Sequence, residues 1–302
     1  MPQDNVRRYE QRWDAATIPA SRRTVLKAGA AVAGLGALGL TAVNALAQTN
    51  ASSTSAATAT PGVCSLTPEM TEGPFYLPLD LVRKDITEGK AGIPLPLRIT
   101  VMNATTCEPL ANAAVDIWHC DAQGAYSGVT GENPSGGAAS NAVAGSDTFL
   151  RGIQLTGADG VAEFETIYPG WYQGRTVHIH VKVHVDGKTE DAAANATPDV
   201  PTYEGGHVAH TGQLFFDDTM SDQVYASGGA YAGRANDQRT RNDQDSILDD
   251  HADEPGFLVQ LTPAKDGALD AGLNGAVTLS VDPSATPAAT GGGGPGGPPP
   301  QG

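Results

Sequence analysis

Residues 177–185 read VHIHVKVHV, with apolar and polar side chains alternating at every position. A repeat of two residues belongs to a β-strand, because successive side chains point to opposite faces. The apolar positions are all Val or Ile, branched side chains that fit a pleated surface with one face in a core. His178 and His180 then share the other face, and His184 joins them by parity. Two imidazoles on one strand face can bind one metal ion, although two ordinary polar positions would leave the same pattern.

Outward from this strand, the alternation recurs at residues 97–101 (LRITV), 113–118 (AAVDIW) and 161–167 (VAEFETI). Residues 257–261 and 276–281 complete the set. Short strands between connections rich in Gly, Pro, Asn and Asp predict an all-β sandwich with long loops. Residues 219–227 and 237–250 alone read as helical, which gives one or two short helices. Residues 186–209 carry no periodicity and are long for a plain connection, so a functional loop is expected there.

Composition supports this fold class. The 302 residues include 37 Gly and 21 Pro but only 6 Phe and 3 Trp, which suits a turn-rich β protein better than a large helical bundle. With 34 acidic against 18 basic residues the net charge is -16. A nucleic-acid partner would call for a basic surface, and so would an anionic membrane.

The two ends read as separate from the domain. Residues 1–47 place Arg22 and Arg23 before a stretch of Ala, Gly, Leu and Val that ends in Ala45-Leu46-Ala47. This resembles a bacterial twin-arginine signal peptide cleaved before Gln48, rather than a membrane anchor. That route exports folded cargo, so the mature protein is expected in the cell envelope or outside the cell, with no membrane segment. Residues 48–62 form an Ala/Ser/Thr linker, 63–283 one domain and 284–302 a disordered Gly/Pro tail.

Three cysteines are present, Cys64, Cys107 and Cys120. An exported protein can carry a disulfide. Cys107 and Cys120 flank one predicted strand, and extended chain would hold them more than ~20 Å apart, out of disulfide reach. A bridge is therefore expected to use Cys64, with Cys120 favoured over Cys107; three free buried thiols are the alternative.

Two tyrosines stand in punctuated contexts near the histidine strand. Tyr126 closes the turn Asp121-Ala122-Gln123-Gly124-Ala125-Tyr126, and Tyr172 closes Pro169-Gly170-Trp171-Tyr172, six residues before His178. Either could be an ordinary core tyrosine with a satisfied hydroxyl. Two phenolates and two imidazoles together make a hard, anionic donor set, which suits Fe(III) better than Zn²⁺ or a sulfur-rich copper site.

The stretches TEGPFYLP (71–78), CEPLANAAVDIWHCDAQGAYSG (107–128), FLRGIQLTGADGVAEFETIYPGWYQGRTVHIHVKV (149–183) and HTGQLFFDD (210–218) resemble the intradiol ring-cleavage dioxygenases. They stand in family order, and the likeness is greatest to the secreted branch, related to the protocatechuate and catechol enzymes. The resemblance implies a β-sandwich of transthyretin-like type with a non-haem Fe(III) held by Tyr126, Tyr172, His178 and His180. It implies catalytic roles for Arg175 and Gln213, and for Tyr172 as the ligand that leaves the metal and takes a proton. Pro74 and Tyr76 are implied as substrate contacts. The implied substrates are a catechol-type aromatic and O2. Gly174 falls where the family carries a substrate-packing Trp, and the interval from His180 to Gln213 is longer than in the cytoplasmic enzymes. No counterpart of the helical segment through which some catechol enzymes dimerise is present, so neither the substrate nor an oligomeric state carries over.

Other polar residues have ordinary readings. Asp116 and His119 fall on opposite faces of one strand and read as structural, and His207, His210 and His251 are expected to be exposed. Arg175 could be a surface ion-pair residue and Gln213 an ordinary strand amide. The rival function is a transthyretin-like binding module without a metal, which residues 97–126 alone would also fit. A copper or Fe(II) oxygenase would require a carboxylate or third His in place of the tyrosines.

Overall fold

Strand β5 (His178–Glu190) lies at the centre of the structure, buried on both faces over its first eight residues. The computed structural model describes residues 64–128, 147–193, 198–235, 238–251, 254, 256–265 and 267–287. The expected signal peptide (1–47), the expected linker (48–62) and all but four residues of the expected tail (284–302) lie outside the described residues. Among the described residues no helix is long and apolar enough to cross a membrane.

The remaining strands are β1 (Pro94–Asn103), β2 (Ala114–Trp118), β3 (Arg151–Leu155), β4 (Val161–Ile167), β6 (Thr202–Phe215), β7 (Gln260–Pro263) and β8 (Leu273–Val281). They form two four-stranded sheets, ordered β4-β1-β8-β7 and β3-β2-β5-β6. All pairings are antiparallel except β1 with β8. Leu95, Leu97, Ile99 and Val101 of β1 share one buried cluster with Val115 and Ile117 of β2 and with Ile179, Val181 and Val183 of β5. Each such side chain contributes about 1.5–3 kcal/mol by leaving water, so the alternating runs hold the two sheets together.

The second sheet is covered on its other face as well. Ala114, Asp116, Trp118, His178, His180, Lys182 and His184 point away from the inter-sheet core, yet all are buried. The segment of residues 69–82 lies over them. Met70 N donates to Thr211 O (2.9 Å), Tyr203 N donates to Asp80 O (2.8 Å), and Tyr76 packs on Trp118. A sheet covered on both sides can hold polar groups out of water only if something pairs with them. The candidate site lies on this covered face.

Several expectations are corrected. Residues 186–190 and 202–209 are paired strand and not loop: β5 runs on to Glu190 and pairs with β6 from Thr202, through Gly187↔Gly205 and Thr189↔Tyr203. This hairpin extension is largely polar and half exposed, so it lacks an alternating pattern. The short strand β3 was likewise unread, having five residues that include Gly152. Helix α1 (Asp218–Ala226) agrees with the expectation and is capped by Asp217, which accepts from Met220 N. Of the expected helix 237–250, the described residues 238–250 form only a 3-10 turn (Asn242–Gln244) and a single helical turn α2 (Ser246–Asp249). The side chains there bind loop backbone elsewhere and do not line one face of a helix. His210 is buried, with its Nδ1 2.8 Å from Glu69 Oε1.

The disulfide joins Cys64 to Cys107, not to Cys120, which stays free and buried. It ties the start of the described chain to the β1–β2 turn, where Cys64 N also donates to Ala104 O. Cys120 instead donates to Gly170 O beside the tyrosine loops. Burial pushes its thiol well above the ordinary range. The bridge closes a loop of 43 residues, for which chain entropy gives about 4 kcal/mol. Non-reducing peptide mapping is therefore expected to recover a Cys64–Cys107 peptide. Thiol titration should find no reactive group in the native protein and one after denaturation; a reactive native thiol or a Cys64–Cys120 peptide would contradict this packing.

Candidate metal centre

The pairing register sets four side chains in one row across the covered face. Arg151 pairs with Trp118, Trp118 with His180, and His180 with Gln213, so β3, β2, β5 and β6 each contribute one. Trp118 and His180 stack with centroids 4.9 Å apart and planes 4° from parallel. His178, one pleat earlier on β5, turns its ring to the same place: the two histidine Nε2 atoms are 3.2 Å apart. His178 Nδ1 is 2.6 Å from Thr176 O and must donate to it, which leaves Nε2 as a lone pair.

The two tyrosines arrive on loops that hold each other. Asp121 Oδ1 accepts from Gln123 N and Ala125 N, and Asp121 N donates to Ala125 O, closing the turn before Tyr126. Gly124 has φ +87°, and a side chain there would collide with Trp171 O. Reciprocally, Gly170 N donates to Asp121 O at 3.0 Å, and a side chain at Gly170 would strike the same carbonyl. The 168–172 loop is anchored from behind: Tyr168 meets Ser221 of α1 at 2.7 Å, and Tyr225 donates to Pro169 O at 2.9 Å.

The result is a convergence of four rings. Tyr172 Oη lies 3.1 Å from His178 Nε2, the Tyr126 and Tyr172 centroids are 5.9 Å apart, and Tyr126 and His180 are 6.2 Å apart. All four residues are at least nine-tenths buried. The Tyr126 hydroxyl lies close enough to Tyr172 for the two phenols to couple, yet it has no partner in hydrogen-bond geometry. Burial raises Tyr126 well above the ordinary phenol range and pushes Tyr172 up to about 12. Burial likewise holds His178 and His180 well below the ordinary imidazole range, helped by the Arg175 cation at His178 and by His178 at His180. Without a metal, these are two neutral phenols and two neutral imidazoles at neutral pH.

Arg175 sits at the edge of this group. Its Nε donates to Asp245 Oδ2 at 2.8 Å and its Nη2 to Gln213 Oε1. Gln213 Nε2 donates in turn to Thr71 O at 2.8 Å, so the amide joins Arg175 to the covering segment. In that segment Gly73 (φ +69°) lies against His180, where a Cβ would stand 3.1 Å from Cε1. Phe75 stacks on Tyr126 at 4.6 Å and meets Tyr172 edge-on at 6.4 Å. Pro74 is exposed. Tyr76 instead packs on Trp118 and under Lys182 Nζ (3.5 Å), beside Asp116.

The structure thus brings Tyr126, Tyr172, His178, His180, Arg175 and Gln213 together. His184 is on the same face but stands apart from the four rings, 3.8 Å from Asp116 Oδ2 and edge-on to Tyr203. His119 faces the other sheet and bridges Thr166 Oγ1 (2.7 Å) and Cys120 O (2.8 Å). Phe75 and Asp245 escaped the sequence reading. Phe75 lay inside the quoted TEGPFYLP stretch, whereas Asp245 stood in a charged run with no distinguishing signal.

The family profile described as Dioxygenase matches residues 71–220. An intradiol ring-cleavage dioxygenase from Tetranychus urticae is 30% identical, with a TM-score of 0.59, over 74% of this chain and 98% of that one. A second dioxygenase crystal structure is also 30% identical, with a TM-score of 0.60, over 75% and 98%. The chain belongs to the intradiol ring-cleavage dioxygenase family. Catechol 1,2-dioxygenase 1 of Acinetobacter lwoffii is 37% identical over 127 residues, which span 39% of this chain and 37% of that protein's length.

Burial holds His119 at about 4, and His178 and His180 also titrate well below 6.5. Unfolding therefore takes up protons below about pH 6.5, and the metal-free protein loses stability as pH falls from there towards 4. His119 alone accounts for on the order of 3 kcal/mol across that window. Denaturant midpoints measured from pH 7 to pH 4 should decline, and His119→Gln should flatten the decline. An equal slope in that variant would contradict its burial as a neutral ring.

Proposed function

We propose that this protein is an exported, non-haem Fe(III) dioxygenase. It cleaves a catechol-type ring between the two hydroxyl-bearing carbons with O2, forming a muconate-type diacid. The observation that carries this reading is the convergence of Tyr126, Tyr172, His178 and His180 in a chain of this family. Export rests on residues 1–47 alone.

The donor set fits a ferric ion. The Tyr126 hydroxyl is buried without a hydrogen-bond partner, and the facing Nε2 atoms of His178 and His180 can share one proton or one cation. Among the described residues no group of three or more His, Cys, Asp or Glu side chains is arranged to hold a metal. Two phenols and two imidazoles would hold Fe(III), whose Lewis acidity would make a chelating catechol electron-poor at oxygen and open to O2 at carbon.

The protein side chains divide the remaining work. A chelating catechol would give up two protons, one of which Tyr172 is placed to take while the other would pass to solvent. It sits in a loop whose next two residues, Gln173 and Gly174, are exposed, whereas Tyr126 is fixed beneath Phe75. Burial pushes the Tyr172 phenol up to about 12, so a proton received there would be kept at neutral pH. Arg175 supplies a fixed positive charge beside the anionic ring oxygens. Gln213 holds the guanidinium against the covering segment.

The test is O2 uptake by the ferric-loaded protein on catechol, protocatechuate, hydroxyquinol and larger lignin-type catechols. One or more should consume O2 and substrate one for one and give an acyclic diacid heavier than the substrate by one O2. Arg175→Ala should retain iron and lose about a hundredfold or more of kcat/KM. No uptake on any catechol, or full turnover in Arg175→Ala, would overturn the reading.

A further inference from the structure

We propose that Asp245 is the positioning residue of Arg175. The inference rests on the function proposed above and adds a residue that the ligand motif does not contain.

Asp245 is completely buried and stands 70 residues from Arg175 in sequence. Both of its carboxylate oxygens are committed. Oδ2 accepts from Arg175 Nε at 2.8 Å and from Thr176 N at 2.7 Å. Oδ1 accepts from Ile247 N at 3.0 Å and Leu248 N at 3.3 Å, which makes Asp245 the cap of α2. A carboxylate held by two backbone donors of its own helical turn cannot follow the guanidinium if it moves. Arg175 is therefore referenced to a rigid point.

The same turn grips the loop a second time. Asn242, three residues earlier, accepts from Thr176 Oγ1 at 2.6 Å and donates to Phe216 O at 2.8 Å. Its backbone N donates to Asp218 Oδ2 at 3.0 Å, so the turn is bolted to α1. One turn thus holds the side chain of Arg175, the amide of Thr176 and the hydroxyl of Thr176. These residues lie midway between the ligands Tyr172 and His178.

The geometry of the fork follows. Arginine only donates hydrogen bonds, from Nε and two terminal nitrogens. Asp245 takes Nε and Gln213 takes Nη2, so Nη1 is left without a partner among the described residues. Asp245 and Gln213 between them fix the plane of the guanidinium and leave one donor edge for bound substrate. Holding a donor in place before substrate arrives removes the cost of ordering it during the reaction. Asp245 makes no hydrogen bond to the four rings among the described residues; its charge also helps to raise Tyr172, as the weakest of the influences there, so its bonded route to the site runs through Arg175.

The test is a double-mutant cycle on the ferric-loaded, full-length protein, with Asp245→Asn and Arg175→Ala alone and together. Asp245→Asn keeps the size of the side chain and removes its charge. With iron content and the visible band retained, it should lose tenfold or more of kcat/KM. In the Arg175→Ala background the same change should cost less than twofold, because the group it positions is gone. If Asp245→Asn does not fold, Asp245→Glu is read by the same criterion. Wild-type kcat/KM in the Asp245 variant, or losses that multiply in the double variant, would overturn the positioning role while leaving the dioxygenase reading intact. Full turnover in Arg175→Ala would instead overturn the site reading beneath it.

Discussion

The register between β2, β5 and β6 is the constraint on which the site depends. Because Trp118 pairs with His180 and His180 with Gln213, a tryptophan plane, an imidazole and an amide stand side by side on one face. A slip of one residue would send His178 and His180 into the inter-sheet core and Ile179 and Val181 into the site. The hydrophobic core excludes that slip, since Ile179, Val181 and Val183 are all buried among β1 side chains. The energy that closes the sandwich therefore also aims the histidines.

The tyrosines need a different device, because loops carry no register. Here the two loops are held by mutual backbone contact. Gly124 lets the Tyr126 turn approach Trp171 O, and Gly170 lets the Tyr172 loop approach Asp121 O. The pair then rests on α1 through Tyr168 and Tyr225. A covering segment, tied through the Cys64–Cys107 bridge at one end, adds Gly73 over His180 and Phe75 over Tyr126. The four donors are thus enclosed by three pieces of chain far apart in sequence, with neutral rings that only a cation or added protons would charge.

Much of this was legible in the sequence, for identifiable reasons. The strands with one face in the inter-sheet core announced themselves by alternation, as at residues 161–167, where β4 lies. His178 and His180 could be assigned to one face by parity alone. What escaped followed from tertiary context. Residues 186–190 and 202–209 pair as a largely polar hairpin in which Tyr203 and Ala209 alone are buried, too few to mark a core face. The 237–250 run looked helical because its charges are dense, but Asn242 and Asp245 spend their side chains on the Thr176 loop. The cysteine pairing turned on the path of residues 64–70, which run along β8 and β6 towards the site and carry no periodic signal. The site was readable because its residues recur in a tight motif; the residues that hold it rigid were not.

We propose that both phenols and both imidazoles bind one ferric ion. The most direct measurement is the visible absorption of the ferric-loaded protein and of its Tyr126→Phe and Tyr172→Phe variants. The account predicts one iron per chain and a red-brown band from phenolate-to-iron charge transfer. Each single variant should shift and weaken that band, and the double variant should abolish it. A band unchanged when both tyrosines are replaced would place the iron elsewhere and contradict the account.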